Sequence, residues 1–299
     1  MNNVAIIILH FGDIKDTLEC IESIERIPNP KTFKVFVVDN GTNRINAKNL
    51  TRFKFRTETI HNFKNLGYGE GMNAGIRKAM SEKFKYYLLL NNDVIVKQDI
   101  IDKLLAGFKN KDVGLMGPIV AYYDKPNKIW FGGGNLNSYF CFTTHTNMNK
   151  KVIKQNNSYT DFITGAAVMV KREVFEKAGF FDKDYFLYWE DVDYCQKAKK
   201  KGFKSYLIGE SLVLHKVSSA TGKKGSNKLS KIRAYYYARN PFIFMAKQKY
   251  KGINFYPALF GQFFIRLPRY MFDLEDFDAL KEYLRGIKDG LGYYYNSMS

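Results

Sequence analysis

Tyr86-Tyr87-Leu88-Leu89-Leu90-Asn91-Asn92-Asp93 is an apolar run that stops abruptly on three polar residues. A short run without polar alternation reads as a strand buried on both faces, the kind found in parallel sheets covered by helices. The polar tip must then emerge at the sheet edge. A carboxylate there can bind Mg²⁺ or Mn²⁺ bridging two phosphates of a nucleotide, although a plain strand-ending turn explains the same tripeptide. Toward the N-terminus, Val4 to Leu9 and Phe33 to Val38 repeat the pattern, and Leu18, Ile21 and Ile24 between them form a helical stripe. This alternation of strand and helix continues through Thr57–Ile60, the helix ending near Ser81, the helix Asp99–Lys109 and the strand Val113–Met116. It predicts an α/β domain with a Rossmann-like, mostly parallel sheet flanked by helices.

The second strand ends on Asp39-Asn40-Gly41, at the strand end where open α/β sheets bind ligands. Asp39 can accept the N3–H of uracil or thymine, or simply cap its own turn. Asn65-Leu66-Gly67-Tyr68-Gly69-Glu70-Gly71-Met72-Asn73-Ala74-Gly75 brings glycines that allow close backbone approach, and a helix N-terminus with free N–H groups. From Tyr122 to Tyr159 the pattern gives way to loops or a small antiparallel excursion. Order returns at Phe162–Val170 and a helix from Arg172 to Ala178. Phe186-Leu187-Tyr188-Trp189-Glu190-Asp191-Val192-Asp193-Tyr194 follows, packing carboxylates among aromatics. That setting supplies stacking surface for a sugar and raises carboxylate proton affinity, as a general base requires, while an acidic first turn of a surface helix is the plainer reading. Ser205–Ile208 and Leu212–Leu214 read as edge strands, with His215 after the second as a candidate metal ligand.

Composition narrows the class. The chain of 299 residues is 45% hydrophobic and 16% aromatic, enough for a large core, and carries a formal charge of +18 that attracts nucleotides, polyanions and anionic lipid. Carboxylates at the strand tips, in place of a basic stripe with stacking residues, argue against nucleic acid as a partner. Cys20, Cys141 and Cys195 lack CxxC spacing, so a reducing, cytoplasmic setting is expected. Val4–Leu9 is too short for a signal peptide, and no stretch approaches the ~20 apolar residues that span a bilayer. The basic loop Lys223–Lys228 marks a boundary between a catalytic domain, 1–217, and a helical extension, 218–299. The aromatic stripe Phe255, Leu259, Phe260, Phe263, Phe264, Leu267 and Met271 in that extension suits an anionic membrane surface, an acceptor contact, a homodimer or plain packing on the catalytic domain.

Taken together, Val37-Val38-Asp39-Asn40, Asn65-x-Gly67 with Asn73-x-Gly75, Leu89 to Asp93, Thr164-Gly165-Ala166 and Phe186 to Asp193 resemble a family 2 glycosyltransferase of the A-type nucleotide-sugar fold, in the rhamnosyltransferase-like branch, over residues 4 to 215. The resemblance implies that Asp39 contacts the base, and that Asn65, Gly67, Asn73 and Asn92 bind the donor. Asp93 and His215 would hold Mg²⁺ or Mn²⁺. It makes Asp191 the base with Glu190 beside it, and leaves Tyr188 and Trp189 to the acceptor. Asn91 stands where the family's metal motif has an aspartate, which should weaken metal affinity. Tyr235-Tyr236-Tyr237-Ala238-Arg239-Asn240 resembles a basic site, with Arg239 toward the donor phosphates, or is simply an amphipathic helix ending before Pro241. The implied reaction is inverting transfer from a dTDP- or UDP-linked sugar, rhamnose favoured, to a lipid-linked saccharide at the inner face of the cell membrane. A binding protein that keeps the fold without turnover is the rival reading.

Overall fold

A computed structural model describes residues 3–42, 45, 47–153, 155–217 and 228–298. Its first half alternates as the apolar runs predict. β1 (Val4–His10), β2 (Phe33–Asn40), β3 (Arg56–Asn62) and β4 (Tyr86–Asn91) lie parallel in the spatial order β4-β1-β2-β3, with α1 (Ile14–Glu25), the short α2 (Ala47–Leu50) and α3 (Gly67–Met80) as crossovers. Every residue of β1 and β2 is buried, as a sheet covered on both faces demands. Gly75 of α3 lets the helix rest directly on this sheet, since a Cβ there would lie 2.6 Å from Ile7 Cγ2 and 2.7 Å from Val38 Cγ2.

After β5 (Val94–Val96), α4 (Ile100–Gly107) leads into β6 (Val113–Tyr122). The region expected to be loops or a small antiparallel excursion holds β7 (Ile129–Phe131), the antiparallel pair β8 (Gly134–Asn137) and β9 (Phe142–His145), and β10 (Ser158–Thr160). β11 (Ala167–Lys171) then runs antiparallel between β4 and β6, joining the two parallel runs of one ten-stranded sheet. α5 (Arg172–Ala178) and α6 (Glu190–Lys199) lead to β12 (Lys204–His215). The architecture is the expected mixed, largely parallel sheet flanked by helices.

β12 corrects one expectation. The two edge strands read around Gly209-Glu210-Ser211 are a single strand inside the sheet, paired with β10 on one side and β6 on the other. A register shift between Ile208 and Leu212 absorbs the polar interruption, as a bulge does. The same strand carries His215 to the end of β5, opposite Val94.

The boundary loop Lys223–Lys228 lies, apart from Lys228, outside the described residues. Beyond it come α7 (Lys231–Lys247), α8 (Phe255–Phe260), a π-helical turn at Gly261–Arg266, α9 (Leu267–Met271) and α10 (Phe277–Met298). Phe242, Phe244 and Met245 of α7 are buried in the same apolar cluster as the sheet, with Phe244 against Trp189 at 5.2 Å between ring centres. Among the described residues no helix is long and apolar enough to cross a membrane.

Candidate active site

A cavity of about 310 Å³ opens at the C-terminal ends of β1, β2 and β4, where the sheet type places ligands. Asn40, Asn65 and Gly67 line one part of it and are tied together. Asn40 Nδ2 donates to Asn65 Oδ1 at 2.9 Å, and Asn40 Oδ1 accepts from Leu66 N at 3.1 Å and Asn62 Nδ2 at 3.0 Å. Asn65 Oδ1 in turn accepts from Gly67 N at 2.9 Å. Gly67 has φ +79°, and a Cβ on it would sit 2.2 Å from Phe186 O, so only glycine permits this loop to meet the 186–189 segment.

Asp39, one residue earlier, does not line the cavity. It is fully buried, and its carboxylate accepts from Thr42 N at 2.9 Å, Thr42 Oγ1 at 2.7 Å and Ile45 N at 3.1 Å. Burial pushes its proton affinity up, but these donors outweigh burial and hold the carboxyl below its ordinary value. The geometry is that of the turn-capping alternative, with Asp39 behind the residues that line the cavity. Asn73 is likewise outside the wall. Both ends of its amide clasp the Phe181 backbone, at 2.9 and 3.0 Å.

Asn91, Asn92 and Asp93 do line the cavity, with His215 beside them. Asn92 Nδ2 donates to Phe11 O and Thr17 Oγ1, which fixes the tip of β4 to the loop after β1. Asp93 Oδ1 lies 3.1 Å from His215 Nε2, yet without hydrogen-bond geometry: Asp93 Oδ1 and His215 Nδ1 are buried polar atoms with no hydrogen-bond partner among the described residues. A buried carboxylate oxygen left so is costly unless a cation completes it. Carboxylate oxygen and imidazole nitrogen are a donor set that Mn²⁺ accepts and Mg²⁺ tolerates. Among the described residues no group of three or more His, Cys, Asp or Glu is gathered to hold an ion, so the chain would supply two ligands and leave the rest to water and phosphate oxygens.

The acidic pair enters from the other segment. Tyr188 and Trp189 both adopt left-handed φ, +67° and +73°, and deliver Glu190 and Asp191 as the first turn of α6. Such non-glycine conformations cost roughly 1–3 kcal/mol each and persist where surrounding structure imposes them. Asp191 Oδ2 accepts from Gly165 N at 3.0 Å and Oδ1 from Val192 N at 2.8 Å. Glu190 is buried, and its Oε2 has no hydrogen-bond partner among the described residues. Burial raises the proton affinity of both, Glu190 furthest, with the neighbouring Asp191 charge adding to it, while the two backbone N–H groups offset part of the rise for Asp191. The two backbone N–H groups and the helix N-terminus favour a charge on Asp191.

Tyr188 and Trp189 line the cavity too, but Trp189 is mostly packed between Phe244 and the Arg266 guanidinium, 5.5 Å from its ring centre. Arg239 does not line it. Its Nη2 donates to Asp184 O at 3.0 Å and its guanidinium lies over Tyr236. In its place Arg233 and Tyr237 reach the cavity, and among the described lining residues Arg233 is the sole Lys or Arg. Trp130 and His145 complete the wall; His145 Nδ1 donates to Trp130 O, 3.2 Å away, and burial pushes its imidazole down to about 4. Sequence reasoning missed Arg233, Trp130 and His145, and reached Tyr237 only as part of the string Tyr235 to Asn240. Arg233, Tyr237 and Asn240 recur at helical spacing, a signal that was available, whereas Trp130 and His145 sit in the irregular excursion without any local pattern.

The sequence model of "Glycosyl transferase family 2" matches residues 5–179, more than half of the chain. The chain belongs to that family. Among curated relatives, this glycosyltransferase is 22% identical over 253 residues to "dTDP-rhamnosyl transferase RfbF" of Shigella flexneri, covering 82% of this chain and 80% of the relative. It is 23% identical over 234 residues to "N-acetylglucosaminyl-diphospho-decaprenol L-rhamnosyltransferase" of Mycobacterium tuberculosis, covering 71% and 74%. The glycosyltransferase is thus rhamnosyltransferase-like. Among solved structures it shares its A-type fold with the mannosyltransferase PcManGT from Pyrobaculum calidifontis in complex with GDP-Man and Mn²⁺, at TM-score 0.60 and 14% identity over 97% of this chain and 75% of that one.

Proposed function

We propose that this glycosyltransferase moves rhamnose from dTDP-rhamnose, with inversion, onto a saccharide carried on a lipid diphosphate during surface polysaccharide synthesis. The observation that carries the reading is that Asp191 and the Asp93–His215 pair line one cavity together with Asn40, Asn65 and Gly67. Names of the relatives supply the sugar, the thymidine nucleotide and the lipid acceptor. In this reading the nucleoside rests by Asn40, Asn65 and Gly67, with Asp39 bracing the turn behind them. Asp93 and His215 hold Mg²⁺ or Mn²⁺, which when bound offsets negative charge on the departing diphosphate. Asp191 accepts the acceptor hydroxyl proton while that oxygen bonds to the anomeric carbon. The bond from this carbon to the phosphate oxygen breaks, and its electron pair leaves with dTDP. Residues 1–217 carry this chemistry and the helices after 218 form an extension that braces it.

The donor is tested by melting the protein with dTDP, UDP and GDP and their sugars in Mn²⁺, because a ligand bound only by the folded state raises Tm. We expect dTDP and dTDP-rhamnose to give the largest rise, several degrees at saturating ligand; a larger rise with UDP-sugars moves the donor, and GDP alone would displace the assignment.

The extension also fits an anionic membrane surface. Tyr256, Phe260 and Phe264 are 70%, 49% and 68% exposed at four-residue spacing, with Phe272 82% exposed beyond them. From Lys249 to Phe272 the chain exposes Lys249, Lys251 and Arg269 and has no Asp or Glu. Apolar rings with basic flanks are what an anionic bilayer interface attracts. Flotation with phosphatidylglycerol vesicles is expected for the parental chain and lost in Phe260→Glu/Phe264→Glu; a parental chain that stays at the bottom of the gradient refutes this part.

A further inference from the structure

Asn240 closes the string Tyr235 to Asn240, lies on α7 outside the cavity wall, and is fully buried. Its Nδ2 donates two hydrogen bonds of 2.8 Å, to Leu187 O and to Tyr188 O. Those two carbonyls belong to the peptide units entering Tyr188 and joining Tyr188 to Trp189, the units whose orientation defines the left-handed step. One amide nitrogen therefore holds both peptide planes of the step. Turning either plane over would break a bond to Asn240, relax the backbone and withdraw Glu190 and Asp191 from the cavity.

The following residue explains how α7 grips the step from a second side. Pro241 has no N–H to give to Tyr237 O, the carbonyl one turn earlier, and Arg266 Nη2 donates to it at 3.0 Å instead. The same guanidinium lies over the Trp189 ring, so the helix irregularity places a cation against the second residue of the step. Further along, Lys247 pairs with Asp182 and Asp184 at 2.7 Å each, and Gln248 Nε2 donates to Asp193 Oδ1 at 3.1 Å. The segment 182–193 is held along its length from α7, but Asn240 alone of these side chains bonds the two carbonyls of the strained step.

We propose that Asn240 is the positioning residue of the transfer step: through the Leu187 and Tyr188 carbonyls it sets where Asp191 meets the acceptor hydroxyl. The inference rests on Asp191 as the base. A displacement of about 1 Å in a reacting group can cost on the order of 100-fold in rate, so the effect falls on kcat, not on nucleotide binding. The assay uses whichever of dTDP-rhamnose and UDP-N-acetylglucosamine the parental protein converts faster, read as nucleoside diphosphate released, with calorimetric titration of that diphosphate in Mn²⁺. Asn240→Ala and the isosteric Asn240→Asp, which keeps the shape but loses the donor, are expected to lower kcat by about 10- to 100-fold with Kd and KM within about twofold. Lys247→Met, which releases the far end of the same segment, is expected to lower Tm and leave kcat within about twofold. Parental kcat in either Asn240 variant overturns the inference, as does a kcat loss matched by an equal loss of titratable nucleotide sites, which marks mere unfolding. Asp191→Asn separates the two levels. If it is inactive while Asn240→Ala is active, the base stands and the role of Asn240 falls; if it turns over at the parental rate, the base itself falls.

Discussion

Asp191→Asn is expected to lower kcat by roughly 10²–10⁴-fold while leaving nucleotide affinity near the parental value, the range a positioned general base contributes. The substitution keeps the shape of a side chain held by Gly165 N and Val192 N, so the start of α6 should be preserved. Transfer of the acceptor proton is what it removes. The pH dependence follows from the same environment. Burial raises the Asp191 carboxyl above its ordinary value of 3.8, and a base works only when ionised, so kcat should climb as pH rises through a value above the usual carboxylate range. An Asp191→Asn protein as fast as the parent at neutral pH would remove Asp191 from the chemistry.

Asp93→Ala is expected to act on the other half of the site. Removing groups that merely support metal ligands costs 10- to 100-fold in metal affinity, so loss of a ligand should weaken Mn²⁺-dependent nucleotide binding by roughly 100-fold. The residual binding should no longer respond to Mn²⁺ or Mg²⁺. The change also leaves His215 without the carboxylate 3.1 Å from its Nε2, so His215→Ala should show the same pattern with a smaller loss. Calorimetric titration of dTDP with and without Mn²⁺ measures both. Equal nucleotide affinity in the presence and absence of the ion, in the parental chain, would show that the orphaned Asp93 oxygen serves another purpose.

The parts of this site that were legible from the sequence are those encoded by local contrast. Leu88-Leu89-Leu90 followed by Asn91-Asn92-Asp93 can only be a buried strand with a polar tip, so Asp93 is found without knowing its neighbours. Glu190 and Asp191 stand out for the same reason, as carboxylates among aromatics. What local contrast cannot tell is which way a polar residue beside a tip is turned. Asp39 and Asn73 occupy plausible positions, yet one closes its own turn and the other clasps Phe181, because each finds backbone donors or acceptors nearer than the cavity. Arg239 and Arg233 lie on one helix, and only the packing of α7 against the 182–193 segment decides that Arg233 reaches the cavity. β12 was split in reading because Gly209-Glu210-Ser211 breaks the apolar run, whereas a bulge lets the strand continue. Trp130 and His145 come from strands too short for a periodic signature, paired with segments close by in the sequence.

The brace from α7 bears on how such a site is kept in order. Two successive left-handed residues at the entry to α6 are an unfavourable local choice, stabilised by bonds that span more than fifty residues of sequence, from Asn240 to the Leu187 and Tyr188 carbonyls. The family match ends at residue 179, before both the acidic pair and the helix that holds it.

The central claim is that a nucleotide sugar lies in the cavity with its diphosphate toward Asp93 and His215 and its anomeric carbon toward Asp191. A crystal structure of Asp191→Asn soaked with dTDP-rhamnose and Mn²⁺, with anomalous scattering recorded for the metal, tests it most directly. The account predicts a manganese peak against Asp93 and His215 and the sugar carbon facing residue 191. Manganese or diphosphate bound away from Asp93, or a sugar turned from residue 191, would contradict it.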